Sequence, residues 1–351
     1  MSLLLPRLRL VLVAIVACTL VGSRPSAQTS SSTLTLGLLE RYVEALRVDF
    51  GMPGLSVAVI EDGRLWERTF GLADIAANIP ISPTTTFPIG GLTQAIGGAV
   101  TLEQCIDSGR AALSDTVVRW TPFVQPNATV GQLLTHTTTT GAFAYDPARF
   151  AVLADVAAEC ADDEFDTVVA TRVFDRLAMV DSVPGLDTVQ VARRAHFSAA
   201  QLSRYESALR RTASPYRVVA KTAPARSDFR ETGVTTASGI VSTARDLAKF
   251  DTALSNGILL SSDALAASWA SAPGRPTGMG WFVQSYNGQR VVWQFGLMPD
   301  AYSALMVKLP SRRLTLVLLA NSDHLTNTLS LQNPDVTQSV FARTFLRLFV
   351  N

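Results

Sequence analysis

Phe87-Pro88-Ile89-Gly90-Gly91-Leu92-Thr93-Gln94 is the most informative segment of this 351-residue sequence. Position 91 opens a helix, and position 94 lies about one turn later on the same helix face. In a catalytic helix this spacing brings a nucleophile beside its base. Glycine has no side chain to acylate, and an amide has no usable basicity near neutral pH. The stretch therefore has the shape of a catalytic motif without catalytic residues.

Four more segments extend the pattern along the chain. In order they are Leu133-Leu134-Thr135-His136-Thr137, Ser238-Gly239-Ile240-Val241-Ser242-Thr243-Ala244, Gly278-Met279-Gly280-Trp281 and Ala320-Asn321. Together the five segments resemble, in family order, the motifs of the serine beta-lactamases, penicillin-binding proteins and related esterases. The resemblance covers roughly residues 50 to 345. It implies an α+β, beta-lactamase-like fold, with an antiparallel sheet flanked by helices plus an all-helical region.

The resemblance also places the family's nucleophile and base. In that family, F-x-I-G-S-x-T-K supplies a serine that attacks an acyl carbon and a lysine that helps remove its proton. Here the serine position is Gly91 and the lysine position is Gln94. Neither half of the dyad can perform its role.

The other two catalytic motifs are also altered. The family's Y-x-N aligns with Tyr145-Asp146-Pro147, so the tyrosine is kept and the asparagine is replaced by Pro147. The family's H-x-G or K-T-G aligns with Gln294-Phe295-Gly296, which keeps only the glycine, Gly296. Tyr145 is thus the only one of the five side chains with a catalytic role that remains.

These losses predict a catalytically inactive pseudoenzyme, because removing a serine nucleophile or its base typically costs about a million-fold in turnover. We expect Tyr145, Gln294 and the backbone N–H of Gly91 to line a retained cleft for a peptide, a cell-wall fragment or a partner loop. Such a cleft should be open and polar, and Phe295 and Met298 are the residues best able to fill it. If the backbone is intact, restoring serine and lysine should restore acylation.

A hydrolase that uses a different nucleophile is the alternative. Thr93 lies about 200 degrees round the helix from position 91 and is expected to face away from the site. His136 is expected to be a structural residue that closes a helix. The run Thr137 to Thr140 is expected to form a turn with local hydroxyl bonds.

Composition and charge exclude other classes. The net charge is +1, and no basic run of the kind a nucleic-acid surface needs is present. The three histidines and the cysteines form no metal-ligand spacing, so neither a metal nor a cofactor is expected. Cys105 and Cys160 are expected to be buried thiols rather than a disulfide.

The N-terminus has the pattern of an export signal. Arg7 and Arg9 precede the apolar run Leu10 to Val21, which is too short for a membrane span. We therefore expect a signal peptide over residues 1–27, a flexible lead-in over 28–34, and a secreted or periplasmic domain over 35–351. The alternative is a lipoprotein anchored to the membrane at Cys18, because Ile15-Val16-Ala17-Cys18 resembles a lipobox.

Periodicity predicts the coarse structure. A helix is expected from Leu36 to Phe50, followed by a hairpin around Asp62-Gly63. Residues from about 90 to 245 are expected to be mainly helical and inserted into the sheet. Four strands are then expected over 281–286, 290–293, 303–309 and 314–320. A final helix is expected over 341–349. The two sets of strands should join in one antiparallel sheet, with the former site at its junction with the helical region.

Overall fold

The computed structural model describes residues 27–121, 127–219, 223–230, 233–271 and 274–350, with side chains from residue 32 onward. The predicted signal peptide, residues 1–27, lies outside these ranges apart from its last residue, Ala27. The residue of the alternative lipid anchor, Cys18, lies outside them as well. Within the described ranges, no helix combines the length and the apolar character needed to cross a bilayer.

Eleven strands are formed by the described residues. They are β1 (Gly54–Glu61), β2 (Arg64–Asp74), β3 (Ile79–Pro80), β4 (Phe87–Pro88), β5 (Tyr216–Arg217), β6 (Ala225–Arg226), β7 (Val241–Ser242), β8 (Phe282–Tyr286), β9 (Gln289–Met298), β10 (Tyr302–Leu309) and β11 (Leu314–Ala320).

Ten α-helices are formed by the same residues. They are α1 (Ala27–Asp49), α2 (Val100–Asp107), α3 (Val130–Leu134), α4 (Pro147–Ala151), α5 (Leu153–Ala161), α6 (Phe165–Val169), α7 (Ala199–Leu209), α8 (Ala244–Ser255), α9 (Ser262–Ser268) and α10 (Val340–Phe349). Six of these helices, α2 to α7, lie between residues 90 and 245, where the sequence predicted a helical region.

Seven strands make one antiparallel sheet in the order β3-β2-β1-β11-β10-β9-β8. The N-terminal hairpin joins the C-terminal strands through β1 and β11, with Val57 opposite Leu318. Asp62 and Gly63 both have positive φ, the geometry of a tight hairpin turn, so this turn prediction is confirmed. The predicted joint sheet of N- and C-terminal strands is confirmed as well.

The sheet is covered on both faces, which explains why β1, β10 and β11 are apolar almost throughout. On one face, Leu39 and Val43 of α1 pack with Phe341 and Phe345 of α10 against Val57 and its neighbours. On the other face lie α8 and the helical region. Burial on both faces removes the simple alternation of an exposed strand.

Helix α1 begins earlier than predicted. It starts at Ala27 rather than Leu36 and so includes residues 28–34, which the sequence analysis expected to be a flexible lead-in. Serine and threonine are weak but not prohibitive helix formers, and no glycine or proline interrupts this segment. Ser32 also donates a 2.6 Å hydrogen bond to Glu61, which ties the first part of the helix to β1.

The two cysteines form a disulfide, which corrects the prediction of free thiols. Cys105 of α2 and Cys160 of α5 are 55 residues apart in sequence, but their Cα atoms lie 6.0 Å apart. Both residues are buried, as predicted. The pairing depends on the two helices lying side by side, which no local pattern encodes.

Candidate former catalytic site

The turn that carries Gly91 is held between the sheet and the helical region. Strand β4 pairs with β7, and the N–H of Ile89 donates to the carbonyl of Ile240 at 3.0 Å. Gly90 then has positive φ, and a 3₁₀ turn over Gly90–Leu92 leads into a π-helical segment, Gln94–Ala99, before α2. The helix predicted to begin at position 91 therefore starts with a 3₁₀ turn and a π-helical segment, and regular α-helix follows only from Val100. π-helical turns occur frequently at functional sites.

Strand β9 runs past Trp293, where the sequence analysis ended it, to Met298. Strand β8 covers β9 only as far as Trp293, which pairs with Phe282. The next residues of β9 lie against the Gly90–Leu92 turn instead. A Cβ at position 296 would lie 2.0 Å from the carbonyl oxygen of Ile89, so only glycine permits this approach. Gly296 therefore sets the distance between β9 and the turn.

Gly91 has no room for a side chain in this arrangement. A Cβ at this position would lie 2.8 Å from the carbonyl oxygen of Phe295 and 3.2 Å from the hydroxyl oxygen of Tyr145. The first of these contacts is with backbone, which cannot move aside as the end of a flexible side chain can. A serine at position 91 would therefore require β9 to shift. The expectation that restoring serine and lysine would restore acylation assumed an unchanged backbone, and this geometry contradicts that assumption.

Four polar side chains lie beside Gly91 and form a hydrogen-bonded group, which we call the former-site cluster: Gln94, His136, Tyr145 and Gln294. The Gln94 side-chain oxygen accepts from Nε2 of His136 at 2.8 Å and from Nε2 of Gln294 at 3.4 Å. The Gln94 nitrogen donates to the Tyr145 hydroxyl at 3.1 Å. Gln94 and Gln294 are 0% and 1% exposed, so they fill the interior where the dyad would lie.

The backbone completes these bonds and fixes the histidine tautomer. The N–H of Asp146 donates to Nδ1 of His136 at 3.2 Å, so Nε2 carries the proton and is the donor to Gln94. Gln294 donates to the carbonyl of Gly280 and accepts from the N–H of Phe295, each at 2.8 Å. The arrangement is directional and uses only neutral groups.

Neither titratable member of the cluster can act as a base. Burial lowers the pKa of His136 from 6.5 to about 3, against a smaller opposing effect of Asp146. The imidazole is therefore neutral, but its free nitrogen lone pair is occupied by the N–H of Asp146. Burial raises the pKa of Tyr145 to about 12, although the hydrogen bond from Gln94 acts the other way. A tyrosinate is thus not available near neutral pH.

Pro147, which takes the place of the asparagine in the family's Y-x-N motif, is part of a helix terminus. Asp146 caps α4 by accepting the N–H of Arg149 at 3.1 Å, and Pro147 occupies the first turn. Proline is favoured there because its missing N–H would have had no partner in the helix. Its exposed ring has no polar group with which to hold a substrate.

Phe295 and Met298, which were expected to fill the cleft with their side chains, contribute to the site in different ways. The Phe295 side chain faces the sheet core, and its carbonyl closes on Gly91. Met298 lies against Gly90, where its methyl carbon would be 3.0 Å from a Cβ. The interior of the site is filled, so the expected open, polar cleft is not formed. Gly91, Tyr145 and Leu297 remain half-buried at its edge.

The candidate replacement nucleophiles are held in structural bonds. The Thr93 hydroxyl is fully buried and accepts the N–H of Ile240 at 3.3 Å. Thr138 and Thr140 bond to each other at 2.9 Å in the threonine turn, as predicted. His136 has positive φ just after α3, and its ring stacks on Phe150 at 5.1 Å. Its structural role was predicted, but its bond to Gln94 was not, since 42 residues separate the two.

No metal site is formed by the described parts of the chain, in which no three histidine, cysteine or acidic side chains converge. The former-site cluster has the wrong donors for one, because amide and phenol groups dominate it and the imidazole nitrogens are both engaged.

Comparison with known protein families finds a match over most of the sequence. The model of the family described as beta-lactamase matches residues 39–338. A beta-lactamase of Yersinia enterocolitica is 35% identical over 97 residues, which are 27% of this chain and 25% of that protein. A beta-lactamase of Psychrobacter immobilis is 25% identical over 124 residues, 35% of this chain and 30% of that one. The matched segments thus span less than a third of either relative.

Solved structures share the fold over most of the chain. A D-amino acid amidase from Ochrobactrum anthropi has a TM-score of 0.70 at 19% identity and covers 92% of this chain and 99% of its own. A D-alanine carboxypeptidase from Burkholderia cenocepacia has a TM-score of 0.68 at 17% identity, with 90% and 99% covered. Because the family model matches most of the sequence and these structures share its architecture, the chain belongs to the beta-lactamase family.

Proposed function

We propose that this protein is a catalytically inactive member of the beta-lactamase family that acts by non-covalent binding. The observation that carries the proposal is the backbone of β9 at Gly91, where the Phe295 carbonyl oxygen would lie 2.8 Å from a Cβ, too close for a serine side chain without a shift of β9. The family's chemistry needs a nucleophile and a base within hydrogen-bond reach of each other. This site offers a glycine and a neutral amide.

The former-site cluster supports the same conclusion on energetic grounds. A lysine at position 94 would place a charge among three neutral side chains at a fully buried position, and such burial is strongly unfavourable without a counter-charge. Glutamine instead satisfies His136, Tyr145 and Gln294 together. The hydrogen bonds of Gln94 therefore stabilise an arrangement of the cluster that contains no acylating group.

A ligand would bind at the edge of the site rather than within it. Gly91, Tyr145 and Leu297 are half-buried there, and the Tyr145 hydroxyl, which accepts from Gln94, keeps its own proton for a further hydrogen bond. We propose a peptide, a cell-wall fragment or a loop of a partner protein as the occupant. The buried position of Thr93 and the neutral, engaged imidazole of His136 give no support to the alternative of a hydrolase with a new nucleophile.

We further propose that the protein acts outside the cytoplasm. The N-terminal pattern of basic residues and a short apolar run supports export through a signal peptide. The Cys105–Cys160 disulfide is an independent support, since disulfides persist mainly in oxidising compartments.

One mass-spectrometric experiment tests both parts of the functional proposal. The mature chain and a Gly91→Ser/Gln94→Lys variant are incubated with benzylpenicillin and with a fluorophosphonate probe, beside a penicillin-binding protein with an intact dyad. We expect a covalent adduct on that enzyme alone. A native spectrum with a cell-wall muropeptide should show a complex that Tyr145→Ala weakens.

The outcomes separate the two parts. A stoichiometric adduct on any residue of the wild-type site would refute catalytic inactivity. An adduct on the double variant alone would show that β9 can move to admit a serine. A muropeptide complex that is absent, or unaffected by Tyr145→Ala, would remove the cell-wall fragment as the occupant of the edge.

A further inference from the structure

A second cleft, of about 560 Å³, lies between the β1–β2 hairpin, helix α8 and residues 176–178, which follow a second π-helical segment, Ala170–Asp175. Its floor includes Ile60 at the end of β1. Strands β11 and β10 separate β1 from β9, so this cleft shares no lining residue with the former catalytic site. Its volume is within the range of about 300–1,000 Å³ that small-molecule sites occupy.

The walls of this cleft are apolar. Two of the lining residues have large apolar side chains that are exposed to solvent: Leu65 of β2 is 41% exposed and Ile258 is 48% exposed. The other apolar lining residues are Ile60, Leu177, Ala178, Ala248 and Ala253. Exposed large apolar side chains that line one concave surface are more informative than isolated ones, because together they offer contact area to a ligand.

Three basic residues border the same cleft: Arg176, Arg245 and Lys249. Two of them are paired with carboxylates outside the cleft, Arg245 with Glu67 and Lys249 with Asp246. Arg176 differs, since it donates to the carbonyl of Ile258 at 2.6 Å and has no carboxylate within ion-pair distance among the described residues. No acidic residue lines the cleft.

We propose that this cleft binds a fatty acid, with its alkyl chain along the apolar walls and its carboxylate at Arg176. The charge pattern favours an anion, because Arg176 has no carboxylate partner among the described residues and no acidic residue lines the cleft. The apolar walls favour an extended hydrocarbon body, because each methylene group that is removed from water stabilises the complex. Arg176 is the cation best able to hold the carboxylate because its charge is not already neutralised, and its guanidinium can bind a carboxylate with two hydrogen bonds.

The test is calorimetric titration of the mature chain with dodecanoate below its micellar concentration. Arg176→Gln should weaken binding about tenfold by removing the charged partner of the carboxylate. Leu65→Asp should weaken it at least as much, because it places a like charge on the apolar wall. Both side chains are exposed, so neither change should disturb the fold, which circular dichroism would check.

Arg172→Gln is the matched control. Arg172 lies one helical turn before Arg176 and outside the cleft, so the same change of charge there should leave the affinity unchanged. Titration with dodecanol should be insensitive to Arg176→Gln, since the alcohol has no charge. The proposal is overturned if the wild-type chain does not bind dodecanoate, if either cleft variant keeps wild-type affinity, or if Arg172→Gln weakens binding equally.

Discussion

Two buried polar groups of this protein solve the same physical problem in opposite ways. The former-site cluster contains Gln94, His136, Tyr145 and Gln294 and has no charge. A second group, which we call the lysine cluster, contains Lys308 of β10 with Asp251 of α8 and Thr315 of β11. Lys308 forms an ion pair with Asp251, and Thr315 donates to the same carboxylate at 2.9 Å. Lys308 and Asp251 are 2% and 3% exposed.

The difference shows what this fold requires of a buried ionisable side chain. An isolated buried charge is very costly, and a nearby opposite charge with further hydrogen bonds offsets that cost. The lysine cluster supplies the opposite charge, so a lysine is kept. The former-site cluster contains no carboxylate, and an amide takes the place of the family's lysine.

The largest expected effect comes from removing the counter-charge of the lysine cluster. Asp251→Ala leaves the Lys308 ammonium buried without its partner, so the free energy of unfolding should fall by about 3–5 kcal/mol. Urea denaturation followed by circular dichroism measures this change. The double variant Lys308→Met/Asp251→Leu should recover most of the loss, because no charge remains. If the single variant is as stable as wild type, the burial of paired charge does not distinguish the two clusters.

Glu103 tests the same rule where no counter-charge exists. This residue of α2 is 3% exposed, and one carboxyl oxygen accepts from Ser268 at 2.8 Å while the other has no partner. Burial is the main cause that raises its pKa from 4.5 to about 8, and the Ser268 bond opposes it. The folded state therefore holds a proton that the unfolded state loses between pH 4.5 and 8.

Stability from this group is accordingly present below pH 4.5 and is lost as the pH rises through 8. Glu103→Gln should flatten that part of the pH profile and make the protein more stable than wild type at pH 8, by about 4 kcal/mol. Denaturant midpoints of both proteins at pH 5, 6.5 and 8 provide the measurement. Parallel profiles for the two proteins would mean that Glu103 is ionised in the fold, and that the rule fails.

The smallest effect concerns the closed geometry of the former-site cluster. Gly91→Ala adds a methyl group against the Phe295 carbonyl and should destabilise the protein by about 1–3 kcal/mol through overpacking. Gly37→Ala is the control, because Gly37 lies within α1 and a Cβ there meets nothing within 4 Å. The control should stabilise the protein by about 0.5–1 kcal/mol. Equal effects of the two changes on thermal unfolding would show that position 91 has room for a side chain.

Several elements could be predicted because their signals are local. The Asp62-Gly63 turn, the terminal helix and the apolar strands depend on residue conformational preference and periodicity, and the structure contains them. The start of α1 was missed because a serine- and threonine-rich segment is compatible with either a helix or a flexible chain. Its bond to Glu61 comes from a strand distant in sequence.

At the former catalytic site, the absence of the catalytic side chains follows directly from the amino-acid sequence. Gly91 has no nucleophile and Gln94 has no basic amine, whatever structure surrounds them. Tertiary structure alone decided that β9 closes on Gly91, that Gln94 bonds to His136 and Gln294, and that Cys105 pairs with Cys160. The physical reason is that residue chemistry is fixed at each position, whereas these contacts join segments from 42 to about 200 residues apart. Only the packing of the sheet against the helical region sets distances between such segments.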